Sequence, residues 1–236
     1  MWNGKKKAIT FSFDDGCTQD IRLIEILNRY GFKATFNINS GKLGGNGTLE
    51  RCGKIIPFDK VKPDEVKDVY KAHEVAVHTR THPHLPPLNE ERIIDEVEGD
   101  RRELSRLCGY EVVGMAYPGG GVNNDDRVAK IVKEKTGVKY ARTIASTCAF
   151  SRQENLHRFN PSIYWIDPRH RTEVVENFFA LETDEPQLLY IWGHSFELDA
   201  GYHEFYWEQF EAWCEKLAGR SDIFYGTNRQ VLLGMD

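Results

Sequence analysis

The sequence predicts an α/β fold in which parallel strands form a distorted or incomplete (β/α) barrel. Short apolar segments with the alternation of strands are followed by amphipathic segments with helical spacing, and this order repeats along the chain. Such a repeat is typical of a parallel sheet with helices outside it. We count about seven strands, which favours an incomplete barrel over a regular eightfold one. No linker interrupts the 236 residues, so we expect a single domain over 1–236.

Seven segments are predicted as strands because each is rich in apolar or β-branched residues. They cover 8–16, 33–39, 74–77, 111–116, 138–143, 187–193 and 222–226. Asn37 and Asn39 are unusual in a buried strand, and either support a functional site or cap the following loop. Segments 40–57 and 144–171 lack periodicity and are predicted as irregular. The second is rich in aromatic residues and forms either a binding wall or a cover for the core.

Seven further segments carry apolar residues at helical spacing and are predicted as helices. They cover 20–30, 63–72, 89–108, 124–135, 173–181, 202–218 and 227–233. Leu23, Ile24 and Leu27 lie on the apolar face of the first segment, and Gly31 follows it as a helix terminator. The long amphipathic segment 89–108 is expected to be scaffold.

Composition and charge exclude several classes of function. A formal net charge of −5 without a basic tract argues against a nucleic-acid partner. No apolar segment approaches the ~18 residues of a membrane span, so we expect no membrane partner. Five widely spaced cysteines, none in a Cys-x-x-Cys pair, favour reduced thiols over disulfides. With no signal peptide visible, we expect a cytoplasmic protein, and a trimmed mature form of an exported protein is the alternative.

Two adjacent carboxylates end the first predicted strand. Phe11 and Phe13 alternate with polar residues, and Asp14-Asp15-Gly16 follows at a sharp turn. Because neighbouring side chains of an extended chain diverge, Asp14 and Asp15 are expected to have different tasks, one binding a cation and the other facing a substrate. A solvated turn is the alternative for an isolated Asp-Asp-Gly.

Two histidines follow the third predicted strand. His78 and His82 are four positions apart, so their imidazoles converge on one cation if the backbone winds into a helical turn. With one carboxylate they form a set that suits zinc or another divalent transition metal and leaves open positions for water and substrate. Two surface histidines are the alternative interpretation. His84, just beyond, is interpreted as a loop residue.

Three further strand ends carry glycines or polar groups. The segment Tyr117-Pro118-Gly119-Gly120-Gly121 follows the fourth strand, and its backbone N–H groups are either donors to a developing oxyanion or part of a plain turn. Arg142 ends the fifth strand, and His194 follows the sixth. In a barrel the carboxyl ends of the strands lie on one face, so the sequence predicts one site there.

Three of these motifs, in this order, resemble the polysaccharide deacetylase family, the carbohydrate esterases with a NodB homology domain. Ser12-Phe13-Asp14-Asp15-Gly16 resembles the first family motif, T/S-F-D-D-G, and His78-Thr79-Arg80-Thr81-His82 resembles H-S/T-x-x-H. Trp192-Gly193-His194 is similar in position to the closing L-x-H element. The resemblance covers nearly the whole chain and points to a divergent branch of the family.

The resemblance implies a metal-dependent hydrolase that removes N- or O-acetyl groups from an acetylated oligo- or polysaccharide. It implies Asp15, His78 and His82 as ligands of one divalent ion, with zinc as the first candidate and Co²⁺ or Ni²⁺ as alternatives. Asp14 is then the general base and His194 the general acid. We expect Tyr117, Gly119 and Trp192 to face the substrate or the oxyanion.

Two family motifs are altered or missing. Ala116-Tyr117-Pro118-Gly119-Gly120 stands where the family pattern is R-x-P-Y/F-G, so the arginine that holds the base is absent, and no D-x-x-D-W motif is recognisable. We predict that Arg142, on the end of the next strand, has taken over the arginine's role beside Asp14. The alternative is that Arg142 pairs with a surface carboxylate.

Two other functions fit the same motifs. One is a catalytically weakened carbohydrate-binding protein on this scaffold, which the missing arginine suggests. The other is a metal-dependent amidohydrolase that acts on non-sugar amides.

Overall fold

A curled parallel β-sheet is the centre of the fold. The computed structural model describes residues 2–235, and within them the sheet has eight strands. These are β1 (Lys7–Asp14), β2 (Ala34–Ile38), β5 (Glu74–Val77), β6 (Gly114–Ala116), β7 (Tyr140–Arg142), β8 (Ile163–Tyr164), β9 (Gln187–Gly193) and β10 (Ile223–Tyr225). A separate antiparallel hairpin consists of β3 (Thr48–Arg51) and β4 (Lys54–Pro57).

Within residues 2–235, the sheet contains the seven predicted strands and one more. Along the sheet the order is β7-β6-β5-β2-β1-β9-β8. The eighth strand, β10, pairs with the first half of β1, and β2 pairs with the second half of the same strand edge. All seven predicted strands are present, as β1, β2, β5, β6, β7, β9 and β10, and β8 is the additional strand, which the sequence does not predict. The predicted parallel α/β fold is confirmed.

The segment from Phe159 to Tyr164 connects the two ends of the sheet. The Phe159 N–H donates to the carbonyl of Ala141 in β7 at 2.9 Å, and the Thr143 N–H donates back to the Phe159 carbonyl at 2.9 Å. Four residues later the same segment becomes β8 and pairs with β9. The sequence predicts this region as irregular because a two-residue strand has no detectable periodicity.

Helices cover the outside of the sheet. They are α1 (Asp20–Arg29), α2 (Val66–Val69), α3 (Glu90–Cys108), α4 (Asp126–Lys135), α5 (Val175–Ala180), α6 (Glu197–Ala200), α7 (Trp207–Leu217) and α8 (Asn228–Leu233). Short 3₁₀ turns lie at 2–4, 40–42, 156–158 and 202–204, and a π-helical turn over His170–Val174 precedes α5. None of the helices in residues 2–235 is both long and apolar enough to cross a bilayer.

Several helices begin later or are shorter than predicted, and at two of them a capping side chain sets the first residue. The side chains of Asn89 and Asp125 accept hydrogen bonds from backbone N–H groups three residues on, so α3 and α4 each begin one residue after the cap. The second predicted helix, 63–72, is reduced to α2, and the predicted helix over 202–218 begins only at Trp207.

The hairpin corrects the prediction of an irregular segment over 40–57. Cys52 and Gly53 both have positive φ, 52° and 70°, as the two central residues of a type I′ turn require. Both strands are short and mostly exposed, so they show no alternation of apolar and polar residues. The hairpin contributes one wall of the cleft described below.

The two faces of β1 have different surroundings. Phe11 and Phe13 point to the helices, with ring centroids 6.2 Å from Trp213 and 5.0 Å from Trp165, respectively. The opposite face carries Thr10, Ser12 and Asp14 and is buried and polar. The Thr10 hydroxyl donates to the side-chain carbonyl of Asn228 at 2.9 Å, and the Asn37 amide donates to the Ser12 hydroxyl at 2.8 Å. A hydrogen-bonded interior therefore leads up to Asp14.

Candidate active site

The carboxyl ends of the parallel strands surround a cleft of about 560 Å³. All the site residues predicted from the sequence lie there or contact its lining. The lining includes Asp14, Asp15, His78, His82, Tyr117, Gly119, Trp192 and His194, and Arg142 lies directly behind Asp14. These strand ends therefore lie together around one cleft, as the sequence predicts.

Asp15, His78 and His82 form a group that fits a divalent metal ion. One ligand atom from each lies within 4.8 Å of the other two, and no second group of this kind occurs within residues 2–235. The Asp15 Oδ1 atom is 3.5 Å from His82 Nε2 and 3.9 Å from His78 Nε2. Three tetrahedral ligands at zinc-like bond lengths stand roughly 3.4 Å apart, so a small contraction brings this set to coordination distance.

Protonation states in this group suit a metal ligand set. Burial lowers the pKa of His78, and burial together with the charge of His78 lowers the pKa of His82 to about 4, so both rings are neutral at pH 7. Burial alone raises the pKa of Asp15, but the charges of His194 and Lys60, then those of the two histidines, lower it to about 2. Asp15 is therefore ionised.

The His78 ring is held by the neighbouring strand. Its Nδ1 atom lies 2.9 Å from the Ala116 carbonyl, which accepts a hydrogen bond only from a protonated Nδ1. Nε2 is then the unprotonated nitrogen, and it faces Asp15. The His78 side chain is buried, whereas the His82 side chain is 27% exposed and borders the open side of the group.

The two histidines converge by a route that differs from the predicted helical turn. Residues 78–82 are not helical, and Thr79 and His82 both have φ of 65°. Asn39 fixes this bend, because its amide donates to the His78 carbonyl at 2.6 Å and to the Thr79 carbonyl at 2.8 Å. Buried Asp100 accepts from the His78 N–H at 3.1 Å. Left-handed backbone at non-glycine residues is costly and concentrates at functional sites.

Asp14 is held by two donors on one of its oxygens. Its Oδ1 atom accepts from the Asn37 amide at 2.8 Å and from Arg142 Nη2 at 2.5 Å. The same nitrogen also donates to Oδ2 at 2.5 Å, and Oδ2 faces His78 Nε2 at 4.0 Å. Burial raises the pKa of Asp14, but the charge of Arg142 and then that of His78 outweigh it and keep the pKa lowered. Of the two interpretations of Asn37, support of the site is the one observed.

Arg142 makes the predicted contact by a different path. The sequence predicts that Arg142 contacts Asp14 from a neighbouring strand. In the sheet, however, β6, β5 and β2 lie between β7, which carries Arg142, and β1, which carries Asp14. The guanidinium instead crosses the interior, fully buried, and lies 4.7 Å from the Trp192 ring centroid. Its Nη1 donates to the Thr143 carbonyl at 2.9 Å. The alternative, pairing with a surface carboxylate, is excluded.

His194 is held by a carboxylate that the sequence analysis did not identify. Its Nδ1 atom lies 2.8 Å from Glu197 Oε1, and its backbone N–H donates to Glu197 Oε2 at 3.0 Å. The Tyr164 hydroxyl and the Trp165 indole also donate to Glu197. The remaining nitrogen, Nε2, is 4.0 Å from Asp15 Oδ2. The available signal was a glutamate three positions after the histidine, a spacing that meets within one helical turn.

The environment keeps His194 protonated. Burial, the largest effect, opposes the charged form, but the charge and hydrogen bond of Glu197, with the charges of Asp15 and Asp14, raise the pKa to about 9. At pH 7 the ring therefore carries two protons, one on Nδ1 toward Glu197 and one on Nε2 toward the cleft.

The segment after β6 is held close to the site. Asn123, buried, donates through its amide to the carbonyls of Tyr117 at 3.1 Å and Gly119 at 2.8 Å. Gly119 has φ of 83°, and a Cβ there would lie 2.8 Å from His84 Nε2. The Tyr117 N–H donates to the Arg142 carbonyl at 3.0 Å and is therefore not available to an oxyanion. The role of the Gly119 and Gly120 N–H groups as oxyanion donors stays a prediction.

A family model described as polysaccharide deacetylase matches residues 2–141. The chain belongs to the polysaccharide deacetylase family. The matched range contains Asp14, Asp15, His78 and His82, whereas Arg142, His194 and Glu197 follow it. No match is found among the curated proteins.

Solved structures of polysaccharide deacetylases share the fold. A polysaccharide deacetylase from Bacillus cereus is 20% identical over 63% of this chain, with a TM-score of 0.50, and this chain covers 44% of its length. A Streptococcus pyogenes deacetylase in complex with acetate is 21% identical, with coverages of 63% and 61% and a TM-score of 0.51. A CE4 family pseudoenzyme from Bacillus anthracis is 17% identical, with coverages of 96% and 66% and a TM-score of 0.57.

The contact of Glu197 with His194 predicts a measurable change in titration. Replacing Glu197 by Gln removes the charge that stabilises the imidazolium, so the pKa of His194 should fall by about one unit or more. NMR titration of the metal-free protein measures it, and Glu208→Gln, which changes an exposed carboxylate of α7, is the control. A His194 pKa that is the same in Glu197→Gln as in the wild type would contradict the assignment.

Proposed function

We propose that this protein is a metal-dependent deacetylase that hydrolyses N- or O-acetyl groups on an acetylated oligo- or polysaccharide. One observation carries the proposal: a base and an acid approach the same three-residue metal group. Asp14 Oδ2 lies 4.0 Å from His78 Nε2, and His194 Nε2 lies 4.0 Å from Asp15 Oδ2. A carboxylate and two imidazoles favour zinc, with Co²⁺ or Ni²⁺ as alternatives.

The base side of the reaction follows from the surroundings of Asp14. When bound, a divalent cation polarises the acetyl carbonyl and lowers the pKa of water to about 7. Oδ1 of Asp14 accepts from both Asn37 and Arg142, whereas Oδ2 accepts from Arg142 alone and faces the metal group, so Oδ2 is the oxygen that takes the proton from the attacking water. Arg142 keeps this carboxylate ionised and aimed at the cleft.

The acid side follows from the two protons of His194. Glu197 retains the proton on Nδ1, so the proton on Nε2 is the one donated to the departing amine or alcohol. Gly119 and Gly120 border the cleft where backbone N–H groups can stabilise the developing oxyanion. The products are acetate and the free amino or hydroxyl group of the sugar.

Acetate release from a panel of acetylated sugars tests this function. The panel contains N-acetylated and O-acetylated oligosaccharides and non-sugar N-acetyl amides, each assayed with the zinc-loaded protein. We expect acetate from one class of sugar. Acetate from the non-sugar amides alone would favour an amidohydrolase, and none from any compound would favour a carbohydrate-binding protein on this scaffold.

Two substitutions should separate metal binding from proton transfer. In His82→Ala, loss of one of three ligands should remove bound metal and activity together. In Asp14→Asn, the metal should remain while kcat falls by about a hundredfold or more, the usual contribution of a general base. Metal analysis and acetate release measure both. His203→Ala, which changes an exposed histidine, is the control. Full metal content and turnover in His82→Ala would refute the ligand set.

Substitution of Arg142 by Lys tests its proposed role. Lysine keeps the charge but loses the planar guanidinium, so Asp14 should lose its orientation. We expect kcat to fall by about tenfold to a hundredfold, as for other residues that orient a reacting group, with bound metal unchanged. Arg158→Lys, in the surface pair with Asp126, is the control. Unchanged turnover in Arg142→Lys would show that Asp14 is held sufficiently by Asn37.

A further inference from the structure

Two basic side chains in the cleft lack an acidic partner. Lys42 ends the 3₁₀ turn that follows β2, and Arg51 ends β3 of the hairpin, and both line the cleft. Neither forms an ion pair with a carboxylate within residues 2–235, and Arg51 Nη1 donates to the backbone carbonyl of Glu50 at 2.8 Å. By contrast, Lys62, which does not line the cleft, forms an ion pair with Glu65.

The carboxylates of the cleft are already partnered. Asp14 is bonded to Arg142, and Glu197 is bonded to His194 and to two aromatic donors. Asp15 belongs to the proposed metal group. The positive charges of Lys42 and Arg51 are therefore not balanced by acidic groups that line the cleft, even before the charge of a divalent ion is added.

The two cations belong to one wall. Segment 40–58 lines the cleft with Lys42, Leu49, Arg51 and Phe58 and contributes no carboxylate to it. Behind this wall lies a third cation, Lys60, nearly buried, with its Nζ 3.5 Å from the Phe58 ring centroid and 2.9 Å from the Asp15 carbonyl. Lys60 adds to the positive potential of this side.

The remaining cleft wall offers an aromatic surface. The rings of Tyr164 and Trp192 stack with centroids 4.2 Å apart, and both border the cleft. Unpaired cations occupy one part of this concave site, and an apolar surface forms another part. The apolar wall strengthens the electric field of the cations inside the cleft, because low-dielectric walls screen charge less than water does. The ligand that complements this cleft has a sugar face and a negative charge.

We propose that the acetylated saccharide deacetylated here carries an anionic group, a carboxylate or a phosphate, which Lys42 and Arg51 bind. The inference rests on the proposed function and specifies its substrate class. The guanidinium of Arg51 offers paired N–H donors to two oxygens of either anion, and the ammonium of Lys42 adds a second charge. Both side chains belong to the segment that enters the cleft beside the metal group, so they act on substrate binding.

Matched substrates test the proposal. Acetylated oligosaccharides of equal length are compared in three forms: neutral, with a sugar carboxylate, and with a phosphate ester. We expect kcat/KM for the carboxylate or the phosphate form to exceed that of the neutral form by about tenfold, mainly through a lower KM. This preference should shrink in high salt, because exposed charges are screened. A neutral substrate that is hydrolysed as well as both anionic forms would overturn the inference while the deacetylase function stands.

Variants identify the residues responsible. Lys42→Gln and Arg51→Gln should each reduce the preference for the anionic form by about threefold to fivefold, the size expected of a single exposed ion pair. Lys54→Gln is the matched control, because Lys54 lies on the same hairpin but contacts Tyr206 and does not line the cleft. An equal preference in the wild type and in both cleft variants would exclude Lys42 and Arg51 as the anion site.

A binding measurement separates this inference from the proposed function. Calorimetry with the wild-type protein compares the deacetylated anionic and neutral oligosaccharides, so no turnover is needed. Tighter binding of an anionic form, lost in Lys42→Gln and Arg51→Gln, supports the anion site even if no acetate is released from any substrate. Equal binding of the anionic and neutral forms overturns it, whether or not acetate is released.

Discussion

The buried ion pair between Asp14 and Arg142 is the interaction on which the rest of the site depends. Both groups lie out of water, where an unpaired charge is strongly unfavourable and a pair is tolerated only if its hydrogen bonds are satisfied. Asn37 and the Thr143 carbonyl supply further bonds to the pair, and the Trp192 ring covers the guanidinium, whose Nε atom alone has no hydrogen-bond partner among residues 2–235. The pair fixes β7 against β1 across the interior and leaves Asp14 Oδ2 directed at the metal group. The orientation of Asp14, the proposed base, is thus a consequence of how the barrel is filled.

Strained backbone beside the metal group is stabilised in the same way, by buried hydrogen bonds. Asp15, Thr79 and His82 all have left-handed φ, and each such residue costs on the order of 1–3 kcal/mol. The Asp15 N–H donates to the Asn37 carbonyl at 2.9 Å, and Asn39 holds the bend at Thr79. Extended or helical backbone at these positions would direct the ligand atoms differently. The strain is therefore the local cost of bringing the three proposed metal ligands from two strand ends to one point.

Sequence reasoning succeeded where a residue directly follows a strong strand and failed where a contact depends on distant chain segments. Asp14, His78 and His194 follow apolar runs, and parallel strands place their carboxyl ends on one face, so their convergence was predictable. Glu197 lies only three positions after His194 but was missed because no pattern in the sequence links it to its other partners, the Tyr164 and Trp165 donors, which lie 33 and 32 residues away in the chain. The closing segment from Phe159 to Tyr164 was missed because its strand pairing is only two residues long.

The relocation of the arginine has a simple geometric basis. Ala116 stands where the family pattern has arginine, and it is the register partner of Arg142 on the neighbouring strand. Residues paired in this way on adjacent parallel strands point to the same face of the sheet, so positions 116 and 142 open into the same interior space. The alanine methyl leaves that space to the side chain of Arg142, and the Ala116 carbonyl remains available to accept from His78 Nδ1. An arginine at either position reaches the same region of the interior, but two would leave a second cation without a carboxylate there. Alanine at position 116 and arginine at position 142 are therefore compatible with each other in this interior.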